Sequence, residues 1–292
     1  MVRWSLVFAL AATSCYLTSD LDGYSASLAT ETNDTDAGVP ARSVDAEAGA
    51  TDVKCSLGAS GCPASNCKTL HAREPTAPSG VYELDPDGAG PQAPFRAYCD
   101  MVFDGGGFTL VLKVDGKAKT FRYDASIWKS EQPLNEAAAD LDEQEAKLRS
   151  FTSVTFVDVL VGMLDGGTRR WLKVPFASTS MFAAMQGALW PVDDKRERVG
   201  RVGWESLLAS GSLQTNCNIE GLNVATAGGV SVRIGIVGNN EADCTSNDSW
   251  IGVGGSGTSC DARGTLVAGD MAGCSADNGD RQTRTFAYVL VR

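Results

Sequence analysis

Apolar and polar residues alternate most cleanly in Val230-Ser231-Val232-Arg233-Ile234-Gly235-Ile236. That period of two places Val230, Val232, Ile234 and Ile236 on one buried face of a β-strand. The last residues, Thr285-Phe286-Ala287-Tyr288-Val289-Leu290-Val291-Arg292, read as a further strand that ties the terminus into a sheet. Phe95-Arg96-Ala97-Tyr98 and Phe108-Thr109-Leu110-Val111-Leu112-Lys113-Val114 are earlier strand candidates. Elsewhere the period lengthens. Leu134, Ala138, Leu141 and Leu148, set among many charges, predict an amphipathic surface helix. Ser178 to Trp190 repeats the pattern, with Met181, Phe182, Met185 and Leu189 on one face as core packing and Ser178 or Ser180 as the cap. Glycine, at 32 residues, clusters between these elements. The expectation is an α+β fold with mixed or antiparallel sheets, short helices and long, disulfide-crosslinked loops.

The periodic pattern begins only near Cys55. Tyr16 to Lys54 carries eight acids against Arg42 and Lys54 and almost no periodic apolar residues, so it cannot bury a core. Ahead of it, Arg3 and the run Leu6-Val7-Phe8-Ala9-Leu10-Ala11-Ala12 form the pattern of an export signal. The run falls far short of the ~20 apolar residues of a membrane span. Residues 1–14 are thus expected to be an export signal, 15–54 a disordered acidic tether, and 55–292 a folded domain with 55–114 as its N-terminal subregion and 115–292 as its main body. The ending Ala12-Thr13-Ser14-Cys15 is similar to a bacterial lipobox, which would lipidate Cys15 and make the cell surface or outer membrane its location. Ordinary cleavage after Ala9-Leu10-Ala11, giving a secreted protein, is the alternative.

Cysteine parity bears on that choice. Of nine cysteines, removing Cys15 leaves eight, at 55, 62, 67, 99, 217, 244, 260 and 274, the even number a fully paired exported framework needs. The net charge of -11 argues against nucleic acid, whose binding requires a basic face that releases counterions.

Three stretches carry a family resemblance. Asn66-Cys67, Ser79-Gly80-Val81-Tyr82, Tyr98-Cys99-Asp100-Met101 and Asp104-Gly105-Gly106-Gly107-Phe108-Thr109-Leu110 follow one another in the order seen at the start of fibrinogen C-terminal-like domains, with Phe108 where that family has Trp. The glycines would allow backbone angles closed to other residues, so this motif specifies a fold and not a reaction. Asn239-Asn240-Glu241-Ala242-Asp243-Cys244, continuing through Asp248-Ser249-Trp250-Ile251-Gly252 to Gly254-Gly255, resembles the intelectin branch of calcium-dependent lectins. The third stretch, Thr215 to Asn223, reads as a polar loop around Cys217. The resemblance implies a Cys67–Cys99 disulfide. Pairing sequence neighbours would add Cys55–Cys62, Cys217–Cys244 and Cys260–Cys274, one of many connectivities eight cysteines allow.

Asn239, Asn240, Glu241, Asp243 and Asp248 offer, within ten residues, the oxygen chemistry that calcium prefers, although Asn and Asp are also common turn formers. Trp250 is the candidate for stacking on a sugar ring, with a core position as the other reading. His71 is the one histidine, so the histidine-assisted sugar binding of intelectins does not transfer, and Ser/His/Asp, Cys/His and zinc arrangements have little to recruit. Glu220, Glu241 and Asp243 make at best a weak glycosidase set. The expected function is a non-enzymatic, cell-surface or extracellular protein that recognises carbohydrate or a glycosylated surface with Ca2+. The alternative is a metal-independent protein-binding adhesion or envelope protein. A membrane would be met only through the lipid anchor.

Overall fold

The computed structural model describes residues 55–187, 199–226, 229–257 and 266–292. The export signal, the tether, Cys15, Leu189, Trp190 and Cys260 lie outside the described residues. In chain order the first half has α1 (Cys67–Arg73), β1 (Gly80–Leu84), β2 (Phe95–Asp100), β3 (Phe108–Asp115), β4 (Ala146–Lys147), α2 (Ser150–Ser153), β5 (Phe156–Asp165), β6 (Thr168–Ser178) and α3 (Met181–Gln186). The second has α4 (Gly200–Glu205), β7 (Asn216–Ala225), β8 (Ser231–Asn239), β9 (Ser249–Val253), β10 (Ala268–Ala272), β11 (Arg281–Arg284) and β12 (Phe286–Val291).

The strands form two sheets, one ordered β1-β2-β3-β12-β5-β6 with β4 beside β3, the other β11-β10-β9-β8-β7. Every pairing between these strands is antiparallel, so the fold is α+β with antiparallel rather than mixed sheets. The expected terminal strand, β12, sits between β3 and β5 and is buried at all its positions, which is why its sequence is a continuous apolar run. The chain crosses from the second sheet to the first at Thr285, whose N–H donates to the Ala268 carbonyl and whose carbonyl accepts from Gly116. One apolar cluster joins both sheets, with Val111, Val161 and Val289 from the first and Ile234, Ile236 and Ile251 from the second, packed with Trp128 and Trp204.

The triple glycine is a turn into β3. Gly105, Gly106 and Gly107 have φ of 84°, 72° and 82°, and a Cβ on Gly106 would stand 2.4 Å from the Met101 carbonyl oxygen. Arg292 clasps this turn: its Nη1 donates to the carbonyls of Asp104 (2.7 Å) and Gly106 (3.0 Å), and its guanidinium lies 4.3 Å from the centre of the Phe108 ring. Helix α3 is capped by Ser180, which accepts from the Ala183 N–H, and buries Met181 and Met185.

Three expectations are corrected. Leu134–Leu148 is not a helix: Leu134 and Lys147 exchange backbone hydrogen bonds, and the acids between them serve distant partners. The Nζ of Lys113, fully buried, bonds to Asp142 and lies near Asp140, while Glu145 accepts from the Asp115 N–H and the Thr120 hydroxyl. Burying Lys113 without a counter-charge would cost several kcal/mol, more than the small preferences that favour a surface helix. The alternating strand β8 is buried on both faces, because Arg233 stacks on Tyr123 and Trp128 instead of facing water. Thr215–Asn223 is not a loop, since strand β7 runs through it paired to β8.

Candidate functional site

Strand β8 ends at Asn239, and the chain returns as β9 at Ser249, so residues 240–248 form a rim at one end of the second sheet. The disulfide Cys217–Cys244 ties this rim to β7. β7 meets it through a bulge: Cys217 and Asn218 take φ of 70° and 55°, and the register shifts between Cys217 and Ile219. An extra residue of this kind re-aims side chains at a strand end.

Gln214, just before β7, organises the rim. It is fully buried, its backbone N–H donates to Ser249 Oγ (3.0 Å), and its Nε2 donates to the carbonyls of Gly273 (2.9 Å) and Cys274 (3.3 Å) and faces the Oδ1 of Asn240 (3.4 Å). It also bonds to the Asp248 carboxyl. One side chain therefore links loop 240–248 to the turn after β10. Two amide oxygens here, Gln214 Oε1 and Asn239 Oδ1, are buried without a hydrogen-bond partner, a state that costs about 1–3 kcal/mol each unless a ligand or solvent relieves it.

The acids of the rim divide into two roles. Asp243 builds the loop: its Oδ1 accepts the Thr245 N–H (2.7 Å) and hydroxyl (2.8 Å), which hold its carboxyl below the usual range, and its carbonyl accepts from Asn239 Nδ2 (2.9 Å). Asp248 is half-buried, and burial, then the negative charge of Glu241, push its carboxyl up against the opposing bond from Gln214. A carboxyl whose ionisation is opposed by burial and by a neighbouring acid is a place where a cation would be favoured.

Of the predicted ligands, Asn240 and Asp248 bond to Gln214, Asn239 bonds to Asp243, and Glu241 acts on Asp248 through charge. Among the described residues no group of three or more His, Cys, Asp and Glu stands ready to hold a metal ion. The rim does carry the oxygen types calcium takes, the unpartnered amide oxygens of Gln214 and Asn239 and the carboxylates of Glu241 and Asp248. Trp250 is corrected. It is fully buried, packed with Val224, Val230, Val232, Val237 and Met271, and cannot stack on a ligand, because β9 is covered on the face it points to. Glu220 is committed elsewhere, accepting from the Gly200 N–H and the Trp204 indole. His71 lies on α1, outside both sheets. Gln214 escaped the sequence reading because a lone Gln has no periodicity; its only signal was the polar run Gln214-Thr215-Asn216 at the head of β7.

The cysteines close the framework. Cys55–Cys62, Cys67–Cys99 and Cys217–Cys244 are bonded, and Cys274 is disulfide-bonded, while its expected partner Cys260 lies outside the described residues. Among the described residues no helix is long and apolar enough to cross a membrane.

No protein-family model matches this chain, and no curated protein does. Among solved structures, the fibrinogen-like globe domain of human ANGPTL6 matches at 19% identity over 38% of this chain and 46% of that one, with a TM-score of 0.26. The fibrinogen-like globe domain of human ANGPTL2 matches at 23% identity over 38% of this chain and 50% of that one, with a TM-score of 0.26. The likeness is local, spanning about half the length of each solved chain.

Proposed function

We propose that this chain is an exported, non-catalytic binding protein of the fibrinogen-related type, whose rim around Gln214 recognises carbohydrate or a glycosylated surface with calcium. The motifs from Asn66 to Leu110 motivate the family, and three disulfides fit an oxidising compartment. One observation carries the site: the buried, unpartnered oxygens of Gln214 and Asn239 lie on the same rim as the mutually repelling Glu241 and Asp248. Asn239, Asn240, Glu241 and Asp248 would hold the ion, and Asp243 would shape the loop that presents them. Calcium, when bound, supplies neutralising charge and open coordination positions for sugar hydroxyls. Gln214 keeps the rim joined to the neighbouring turn. Surface attachment would come from lipid at Cys15.

Thermal melts of the full-length oxidised chain in chelator and then in millimolar calcium test this. A ligand held only by the native state adds RT ln(1 + [L]/Kd), about 2.7 kcal/mol at a hundredfold excess over Kd, so the midpoint should rise clearly. Glu241→Gln with Asp248→Asn should remove that rise. Absence of any rise in the unmodified chain would leave the metal-independent, protein-binding reading in its place.

A further inference from the structure

Helix α4 ends on Glu205, whose side chain is 17% exposed and makes hydrogen-bonding contact with the carboxyl of Asp277, itself 24% exposed, from the turn between β10 and β11. Two carboxyl groups in such contact need a proton between them. A single guanidinium serves both: Arg201 Nε lies 3.7 Å from Glu205 Oε1, and its Nη2 lies 2.9 Å from Asp277 Oδ2. Glu205 Oε1 is buried and has no hydrogen-bond partner.

The same groups hold the segment that carries Gln214. Arg201 donates to the carbonyls of Leu213 (2.8 Å) and Gln214 (2.5 Å), while Asp277 Oδ1 accepts the N–H groups of Leu213 (3.0 Å) and Asn278 (2.8 Å). Burial, then the hydrogen bond and charge of Asp277, push Glu205 up to about 7, with Arg201 opposing. Asp277, although burial raises it, is held below the usual range by the Leu213 N–H, the Glu205 contact and Arg201.

The other charges nearby are engaged elsewhere. Glu220 on β7 serves Gly200 and Trp204, Asp270 on β10 accepts from Ser212 and Thr283 with Arg281 beside it, and Asp280 accepts from Ser275. Arg233 on β8 is turned to Tyr123 and Asn223, Asp165 at the end of β5 holds the Ala209 N–H, with Arg170 of β6 4.0 Å from its carboxylate, and β9 has no titratable side chain.

We propose that Glu205 and Asp277 form a pH-operated latch: their shared proton clamps α4 to the turns that carry Leu213, Gln214 and Asn278, and losing it loosens the rim. As a regulator of ligand binding the latch rests on the reading of the rim given above, whereas the clamp on α4 does not. An acid whose folded pKa is raised contributes stability that is complete below its ordinary value of 4.5 and lost as the pH rises to about 7.

The test is a series of melts of the full-length oxidised protein in chelator, from about pH 5 to about pH 8.5, for the unmodified chain and Glu205→Gln. Glutamine keeps a donor toward Asp277 but has no proton to lose. The unmodified chain should lose midpoint temperature between about pH 5 and about pH 7 and level off above, and the variant should lack that component. Amide exchange at Leu213 and Asn278, corrected for its intrinsic pH dependence, should accelerate over the same range in the unmodified chain alone. Equal pH slopes in the two proteins would overturn the latch. If the variant fails to fold, the carbon-13 titration of the Glu205 carboxyl in the unmodified chain decides, a midpoint near an ordinary Glu value overturning it. Because neither calcium nor sugar is present, failure of the calcium melt leaves this outcome untouched.

Discussion

In the first sheet and its surroundings, no buried side-chain oxygen of the described residues up to Arg201 lacks a partner. Lys113 meets Asp142, Lys147 donates to the carbonyls of Ile127 (2.9 Å) and Ser130 (2.6 Å), and Ser150 donates to Leu110. The second sheet and its loops are finished differently. Among the described residues, every buried side-chain oxygen without a partner comes from Glu205 onward: Glu205 Oε1, Gln214 Oε1, Asn218 Oδ1, Asn239 Oδ1 and Thr285 Oγ1. The unpartnered atoms earlier in the chain are nitrogens, of His71, Arg169 and Arg170. An unmet acceptor is costly, and this difference is what the proposal of a binding rim on the second sheet draws on.

The largest effect should come from emptying the core beneath the rim. Trp250→Ala is expected to destabilise by about 3–5 kcal/mol, read from denaturant melts, because it leaves a large cavity in the cluster of Val232, Val237 and Met271. A near-neutral result would mean that Trp250 is not the core residue its burial indicates. Next, Arg292→Ala should lower stability by about 1–3 kcal/mol through loss of its bonds to the glycine turn and to Asp158, without altering the response to calcium. A changed calcium response would break the division between scaffold and rim. The smallest effect is expected for Asp243→Asn, whose amide oxygen can still accept from Thr245. Its midpoint and calcium shift should match those of the unmodified chain, and loss of the shift would make Asp243 a ligand and not a loop-builder.

Lys147 shows how far the tertiary context reaches. Burial lowers its ammonium to about 8, yet the sequence presented it as one charge in an amphipathic helix. That helix failed because Leu134, Ala138, Leu141 and Leu148 mimic a helical stripe, while the acids among them are demanded by Lys113 and by the Asp115 and Thr120 donors. Trp250 failed for a related reason, since a strand with both faces covered exposes no side chain.

What local sequence determined is what depends on neighbours along the chain. The period-two run gave β8, the apolar ends gave β3 and β12, Ser180 stands as the cap of α3, and the triple glycine is read directly as backbone at positive φ. In the candidate site, the ligand-type residues 239–248 were legible because they are contiguous. Gln214 was not, and neither was the contact between Glu205 and Asp277, because their partners lie on other elements. Only the tertiary structure could bring those groups together, since burial and pairing, which set both the cost of an unmet acceptor and the position of a shared proton, are properties of what surrounds a side chain and not of its place in the sequence.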